Sequence, residues 1–348
     1  MSETRGVFVL LDVVQNKLGN TWVELNDVWV SPSPFLSDPP NTGYFGGGQN
    51  PSAGPTGNYS TMDKVTYASD TTAAVPGANL SLVRRELAAT GNSEAGYFGG
   101  GGTPSGRFST MDKVTYSSDT TAAVPGAFLT AARNYLAATG NSTAGYFGGG
   151  GLFPGTVAMD KVTYSTDTTA AVPGANLSVG RYSLAATGNS EAGYFGGGYF
   201  PATAAMDKVT YSTDTTAAVP GANLSLARRE LAATGNSEAG YFGGGDPSGA
   251  TVDKVTYASD TTAAVPGAAL SVARYGLAAT GNSTAGYFGG GGPSPNPKTT
   301  MDKVTYSTDT TAAVPGAFLT AARLYLAASS ARANALPTTA PSPAPVIV

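Results

Sequence analysis

Three recurring patterns hold the residues that could do chemistry. An Asp-Lys pair opens a Val-Thr-Tyr string at Asp63, Asp112, Asp160, Asp207, Asp253 and Asp302. A carboxylate beside an amine invites an acid–base reading. A Leu-Ser/Thr-x-x-Arg segment supplies Arg84, Arg133, Arg181, Arg228, Arg274 and Arg323. Six equivalent copies of each argue for architecture: an aspartate bonding turn amides or the repeat arginine, and an arginine bonding carbonyls or the aspartate of a neighbouring strand. The third pattern, Gly-Tyr-Phe-Gly-Gly-Gly, suggests a phosphate loop, but no Gly-Lys-Ser/Thr follows it and no helix opens after it.

Composition removes most other toolkits. With no cysteine, disulfides, thiolate metal sites and Cys nucleophiles are excluded. With no histidine, so are Ser-His-Asp triads and His-ligated zinc or copper. No metal, cofactor or catalytic residue is expected. A net charge of −4, with 12% of residues charged, offers no basic patch for nucleic acid or an anionic membrane. The apolar run Val7–Leu11 ends at Asp12, too short for a signal-peptide core, and no stretch approaches a membrane span. The expectation is a soluble chain made in a cytoplasm. Triplets such as Asn79-Leu-Ser and Asn141-Ser-Thr then carry no weight as glycosylation sites.

The elements that must position these residues follow from the spacing. The tyrosine of the glycine string falls at Tyr44, Tyr97, Tyr146, Tyr194, Tyr241 and Tyr287, at intervals of 53, 49, 48, 47 and 46. The tyrosine closing the Asp-Lys string falls at Tyr67, Tyr116, Tyr164, Tyr211, Tyr257 and Tyr306. From that second tyrosine to the next repeat's first is always 30 residues, whereas first to second is 23, 19, 18, 17, 16 and 19. All length variation thus sits in one segment per repeat, which predicts a surface loop between segments that keep register.

Each repeat holds four strand candidates. In the second they are Leu87–Thr90, ended by Gly91-Asn92; Ala95–Gly100; Met111–Tyr116, with Met111, Lys113 and Thr115 facing one way and Asp112, Val114 and Tyr116 the other; and Ala122–Val124, after a turn over Ser118–Thr121 and stopped by Pro125-Gly126. Four antiparallel strands per unit of about 50 residues predict β-propeller blades and an all-β fold. The array opens on a second strand, Gly43–Gly48, and ends on a first strand, Tyr325–Ala328, after which Thr-Gly-Asn becomes Ser329-Ser-Ala. Six blades are predicted, one of them composite and closed by the C-terminus, which removes open sheet edges.

On these residues each unit resembles a kelch repeat: di- or triglycine closing the second strand, Asp-x-Val-x-Tyr in the third, and the Leu-Ser/Thr-x-x-Arg approach to the next blade. The resemblance covers residues 43–330 and implies a six-bladed kelch-like propeller. It departs from the family where a fourth-strand tryptophan is usual and this chain has Ala-Ala-Val. Some kelch-type propellers are copper oxidases, but their His and Cys ligands are missing here.

Residues 1–42 fall outside the repeat. Two strand-like runs holding Phe8, Trp22 and Trp29 predict a hairpin, followed by a Pro-rich linker; it either packs on its own ring or docks on a partner. Arg-Gly-Val-Phe, Trp-Val-x-Leu and Val-Trp-Val, followed by glycine-string units, resemble virion structural (tail or fibre-type) proteins of aquatic tailed bacteriophages. That resemblance implies a virion location, other virion proteins as partners of residues 1–42, and a place in a larger assembly. Residues 331–348 form a Pro/Ala-rich extended tail.

The variable loops carry Tyr59, Arg107, Phe108, Phe153, Tyr199, Phe200, Asp246 and Lys298, aromatic and charged residues suited to binding a host-surface glycan or protein. The positions two after each repeat arginine (Glu86, Tyr135, Ser183, Glu230, Gly276 and Tyr325) also vary and are expected on or near that face. A noncatalytic virion protein displaying a recognition ring is the expected function. A cellular kelch-type interaction module or adhesin is the alternative, and a propeller enzyme is disfavoured by the missing histidine and cysteine.

Overall fold

The computed structural model describes residues 41–331 apart from 152, 153, 200 and 248. The predicted hairpin with Phe8, Trp22 and Trp29, and the tail beyond 331, lie outside the described residues, as do Phe153 and Phe200. The described chain is a six-bladed β-propeller. In the second blade strand a is Ala88–Gly91, strand b Ala95–Gly99, strand c Met111–Thr115 and strand d Thr120–Ala123, paired antiparallel in that order. The other blades repeat this pattern. In the first, strand a is Ala327–Ser330, bonded to strand b Thr42–Gly46 with Tyr44 opposite Ser329, so the C-terminal segment closes the ring.

Strand c carries burial on both sides. Met111, Asp112 and Val114 are all buried because each sheet is covered by the next blade. One such layer joins Tyr97 and Met111 of the second blade to Phe147, Val162 and Tyr164 of the third. Close approach explains the strand-b glycines: a Cβ on Gly145 would sit 2.6 Å from the Thr90 methyl and 2.7 Å from the Tyr164 hydroxyl. A polar clasp finishes each seam. Tyr97 stacks on Tyr164 at 4.8 Å and donates its hydroxyl hydrogen bond to Asp167, to which Lys113 also donates at 2.8 Å. The clasp recurs around the ring, ending with Tyr287 and Lys303 reaching Asp70 of the first blade.

Each repeat arginine is sealed inside the blade that follows it. Arg84 donates to the carbonyls of Phe98 and Thr110 and to Asp112 Oδ2 at 2.8 Å, with neither charged side chain exposed. Arg133, Arg228, Arg274 and Arg323 repeat the three contacts, to Asp160, Asp253, Asp302 and Asp63. Arg181 bonds the Phe195 carbonyl and Asp207. Burial pulls these guanidinium pKa values below their ordinary value, while the paired carboxylates pull them back up. The two carbonyls held by Arg84 stand at the entry and exit of the variable b–c loop.

Several boundaries differ from the sequence expectation. Thr120 and Thr121 belong to strand d, not to the preceding turn, because they pair with Thr115 and Val114 of strand c; Thr121 also donates its hydroxyl to the Ala78 carbonyl of the neighbouring blade. The stop at Pro125-Gly126 is one turn of 3-10 helix, Pro125–Ala127. The closing strand is Ala327–Ser330, so Ser329 and Ser330 continue it: Tyr116 donates to Ser329 Oγ, and Ser330 donates to the Gly281 carbonyl. Thr42 is already in strand b, where the linker was expected to end.

Two stability predictions follow from this geometry. Arg228→Ala, which strands a buried aspartate, should cost about 3–5 kcal/mol in chemical denaturation. Lys208→Ala, whose Asp260 partner is partly exposed, should cost under about 1 kcal/mol. Equal losses would overturn the assignment of the arginine as the blade's internal tie. Deleting residues 327–348 exposes the edge of strand Thr42–Gly46 and should drive self-association in size-exclusion chromatography; a monomer with an unchanged Tm would refute closure by this strand.

Candidate functional site

The antiparallel order places the a–b and c–d turns at one end of every blade and the b–c loops with the d–a connections at the other. The first, lower face is nearly constant. Its a–b turns are set by an asparagine whose Oδ1 accepts two backbone bonds, as Asn92 does from Glu94 and Ala95, and the position of Glu94 holds Glu in three and Thr in two of the five standard turns. The upper face gathers the variation. Among the described residues, the large apolar side chains left exposed (Leu82, Val83, Val179, Leu226 and Val272) all lie in its d–a connections.

At the centre of the upper face the backbone forms a closed hydrogen-bonded circle. The N–H of Tyr135 donates to Glu86 O, Ser183 to Tyr135, Glu230 to Ser183, Gly276 to Glu230, Tyr325 to Gly276 and Glu86 to Tyr325, at 2.6–2.8 Å. All six residues are left-handed, with φ between 56 and 63°. Five of the six are not glycine, so the circle outweighs the cost of that conformation, about 1–2 kcal/mol per residue. Further down the axis the strand-a residues leave a cavity of about 20 Å³, lined in part by Thr90, Thr234, Thr280 and Ser329, room for a single water.

A second set surrounds the circle. The residue after each arginine pairs through its backbone with the residue after the triple glycine: Arg85 with Gly102, Tyr182 with Tyr199, Arg229 with Asp246, and Leu324 with Gln49. Asn134 and Tyr275 meet Gly151 and Gly292 by the same N–H to carbonyl bond. Tyr199 and Asp246, expected as loop residues, therefore stand in this set. Arg229 lies 4.7 Å over the Tyr199 ring and bonds Asp246 at 2.8 Å. The other described loop residues are spread around the rim over the first, second and sixth blades. Tyr59 and Phe108 are partly buried at loop exits, their carbonyls accepting from the backbone of Arg84 and Arg133; Arg107 is exposed in a two-residue strand; Lys298 donates its N–H to Gly291.

Sequence reasoning missed Arg85, Asn134, Tyr182, Arg229, Tyr275 and Leu324. The signal was present: each varies between copies directly beside an invariant arginine. Two acids enter the centre. Glu86 pairs with Arg85 at 2.8 Å and accepts from Asn134, while Glu230 accepts from the Tyr325 hydroxyl at 3.0 Å. Burial pushes the Glu230 carboxyl above its ordinary pKa, opposed by the Tyr325 hydrogen bond and the Arg229 charge.

Compared with models of protein families and with curated proteins, the sequence matches neither. Among the described residues, no helix is long and apolar enough to cross a membrane.

The central circle makes a direct prediction. Gly276→Val places a branched side chain in the left-handed region, with its Cβ 3.0 Å from the Tyr325 ring, and should cost about 1–2 kcal/mol in urea unfolding. Ser183→Gly, which relieves the same conformation, should stay within about 1 kcal/mol of the parent. A neutral Gly276→Val would show that the circle does not persist in solution.

Proposed function

We propose that the protein is a noncatalytic recognition ring, carried on the particle of a tailed bacteriophage through residues 1–42 and presenting its upper face to the host surface. The observation that supports this reading is the placement of variation: six copies of one blade keep a common lower face and interior, while loop length, aromatic residues and charge change on the upper face. A backbone held by the arginine tie and the central circle lets side chains there be exchanged without refolding the ring, the usual arrangement for a binding surface on a rigid scaffold. The absence of His and Cys favours binding over catalysis. The virion assignment rests on the resemblance of residues 1–42 to phage structural proteins. The kelch-like blade motif supports the second reading, a cellular interaction module or adhesin using the same face.

Mass spectrometry of purified particles against host lysate separates the two, and enrichment in particles is expected. Replacing Trp22 and Trp29 by Ala should remove the protein from particles while the free chain keeps its β-sheet circular dichroism. Replacing Tyr182 and Tyr199 by Ala should reduce adsorption to host cells, whereas Glu94, Glu191 and Glu238→Ala on the lower face should not. Unchanged adsorption of the upper-face variant would sink the recognition reading. Equal abundance in lysate and particles would sink the virion one.

A further inference from the structure

One sector of the upper face differs from the rest. Between the third, fourth and fifth blades lies an open groove of about 540 Å³, within the range of about 300–1,000 Å³ that small-ligand sites occupy. Its walls are Tyr135, Tyr182 and Tyr199, with Ser183, Arg229 and Glu230 completing the lining beside Gly151. The other sectors place Gln49, Gly102 or Gly292 where this one has Tyr199 or Asp246.

The tyrosines do not stack on one another. Tyr135 and Tyr182 are 6.0 Å apart at 51°, and Tyr182 and Tyr199 are 5.5 Å apart at 75°. Rings set at such angles form a creased apolar wall, with the Tyr199 ring also lying under the Arg229 guanidinium. The polar groups are held in place. Arg229 is fixed over Tyr199 and against Asp246, and its Nε lies 3.8 Å from Glu230 Oε1. Glu230 Oε2 is taken by the Tyr325 hydroxyl. A planar multiple donor thus stands beside a carboxylate acceptor, both already oriented.

That combination selects a ligand. A hydroxyl both donates and accepts, so neighbouring hydroxyls match a guanidinium and a carboxylate side by side, and the C–H face of a sugar ring matches an aromatic wall. Charge narrows the class. Glu86, Glu230 and Asp246 against Arg85 and Arg229 leave a slight negative excess that disfavours acidic polymers, while the guanidinium inside the groove disfavours cations. We propose that this groove binds a neutral sugar residue of a surface polysaccharide, the tyrosines packing on its C–H face while Arg229 and Glu230 bond adjacent hydroxyls. The assignment rests on the recognition reading above and names the ligand of that face.

A blocking variant is available within the fold. Tyr135 and Tyr325 occupy the position of Ser183 in other blades with φ of 56 and 59°, close to 59° for Ser183, so Ser183→Tyr suits the backbone and fills the groove. The full-length protein is screened on an array of neutral, acidic and amino oligosaccharides, and hits are titrated by calorimetry. Binding to neutral sugars is expected, weakened about tenfold or more by Ser183→Tyr and by Tyr182→Ala and unaffected by Glu191→Ala on the lower face, with Tm of each variant checked. Should Tyr182→Ala prove unfolded, Ser183→Tyr alone decides. Binding confined to acidic or amino sugars, or binding that survives Ser183→Tyr, overturns the proposal. A protein that adsorbs to host cells but binds no neutral sugar refutes the proposal and leaves the recognition reading standing; one that does neither loses both.

Discussion

A guanidinium shut away from water must have its donors met, and in this ring that demand organises each blade. Arg84 ties the next-to-last carbonyl of strand b, the carbonyl just before strand c and the strand-c aspartate into one buried node. The loop that leaves from the first carbonyl and returns at the second is pinned at both ends, whatever lies between. This is the physical reason that every insertion falls in that loop while the remaining span never changes length. The same arginine ends the connection from the preceding blade, so it also sets where each new strand a begins. A buried ion pair is weak evidence for net stability; here its value is geometric, since no apolar residue of similar volume could hold two carbonyls and a carboxylate in register.

The side-chain freedom of the upper face has a second source, in the backbone circle at the axis. Its hydrogen bonds use only N–H and carbonyl groups, which glutamate, tyrosine, serine and glycine supply alike. The axis therefore closes without regard to what each blade displays there. At the opposite face the a–b turns depend on side chains, such as Asn92 bonding its own loop, and that asparagine is the same in all five of them. Variation follows the boundary between structure made by backbone and structure made by side chains.

This boundary also explains how much could be read from the sequence. Blade number and the composite first blade were legible because six in-register copies expose any break in pattern, including the replacement of Thr-Gly by Ser329-Ser330. Strand ends were less legible. Thr120 and Thr121 resemble turn residues in isolation and join strand d by pairing with Thr115 and Val114, a hairpin register that composition does not fix, while Thr121 adds a hydroxyl bond to the neighbouring blade. The candidate site was half legible. Tyr199 and Asp246 stood out as loop residues, but Tyr182 and Arg229 follow the invariant arginine and gain meaning only when the backbone pairs them across the face.

The C-terminal closing strand bears on how such a chain finds one partner among near copies of itself. Strand Thr42–Gly46 pairs at once with Met62–Thr66 on one edge, but its other edge waits while five strands of the sequence Ala-Ala-Thr-Gly emerge before its own partner does. Any of those five could pair with it, giving a smaller ring or an exchange between two chains. The true partner differs from them at two residues. Ser329 accepts from Tyr116 of the second blade, and Ser330 reaches back to Gly281 of the sixth. The first of these bonds is also made by the threonine of the duplicates, as Thr280 does with Tyr67; the second has no counterpart where they carry glycine. Ser330 thus acts as an address, distinguishing the last strand from its own duplicates in a chain whose repetition otherwise erases the difference.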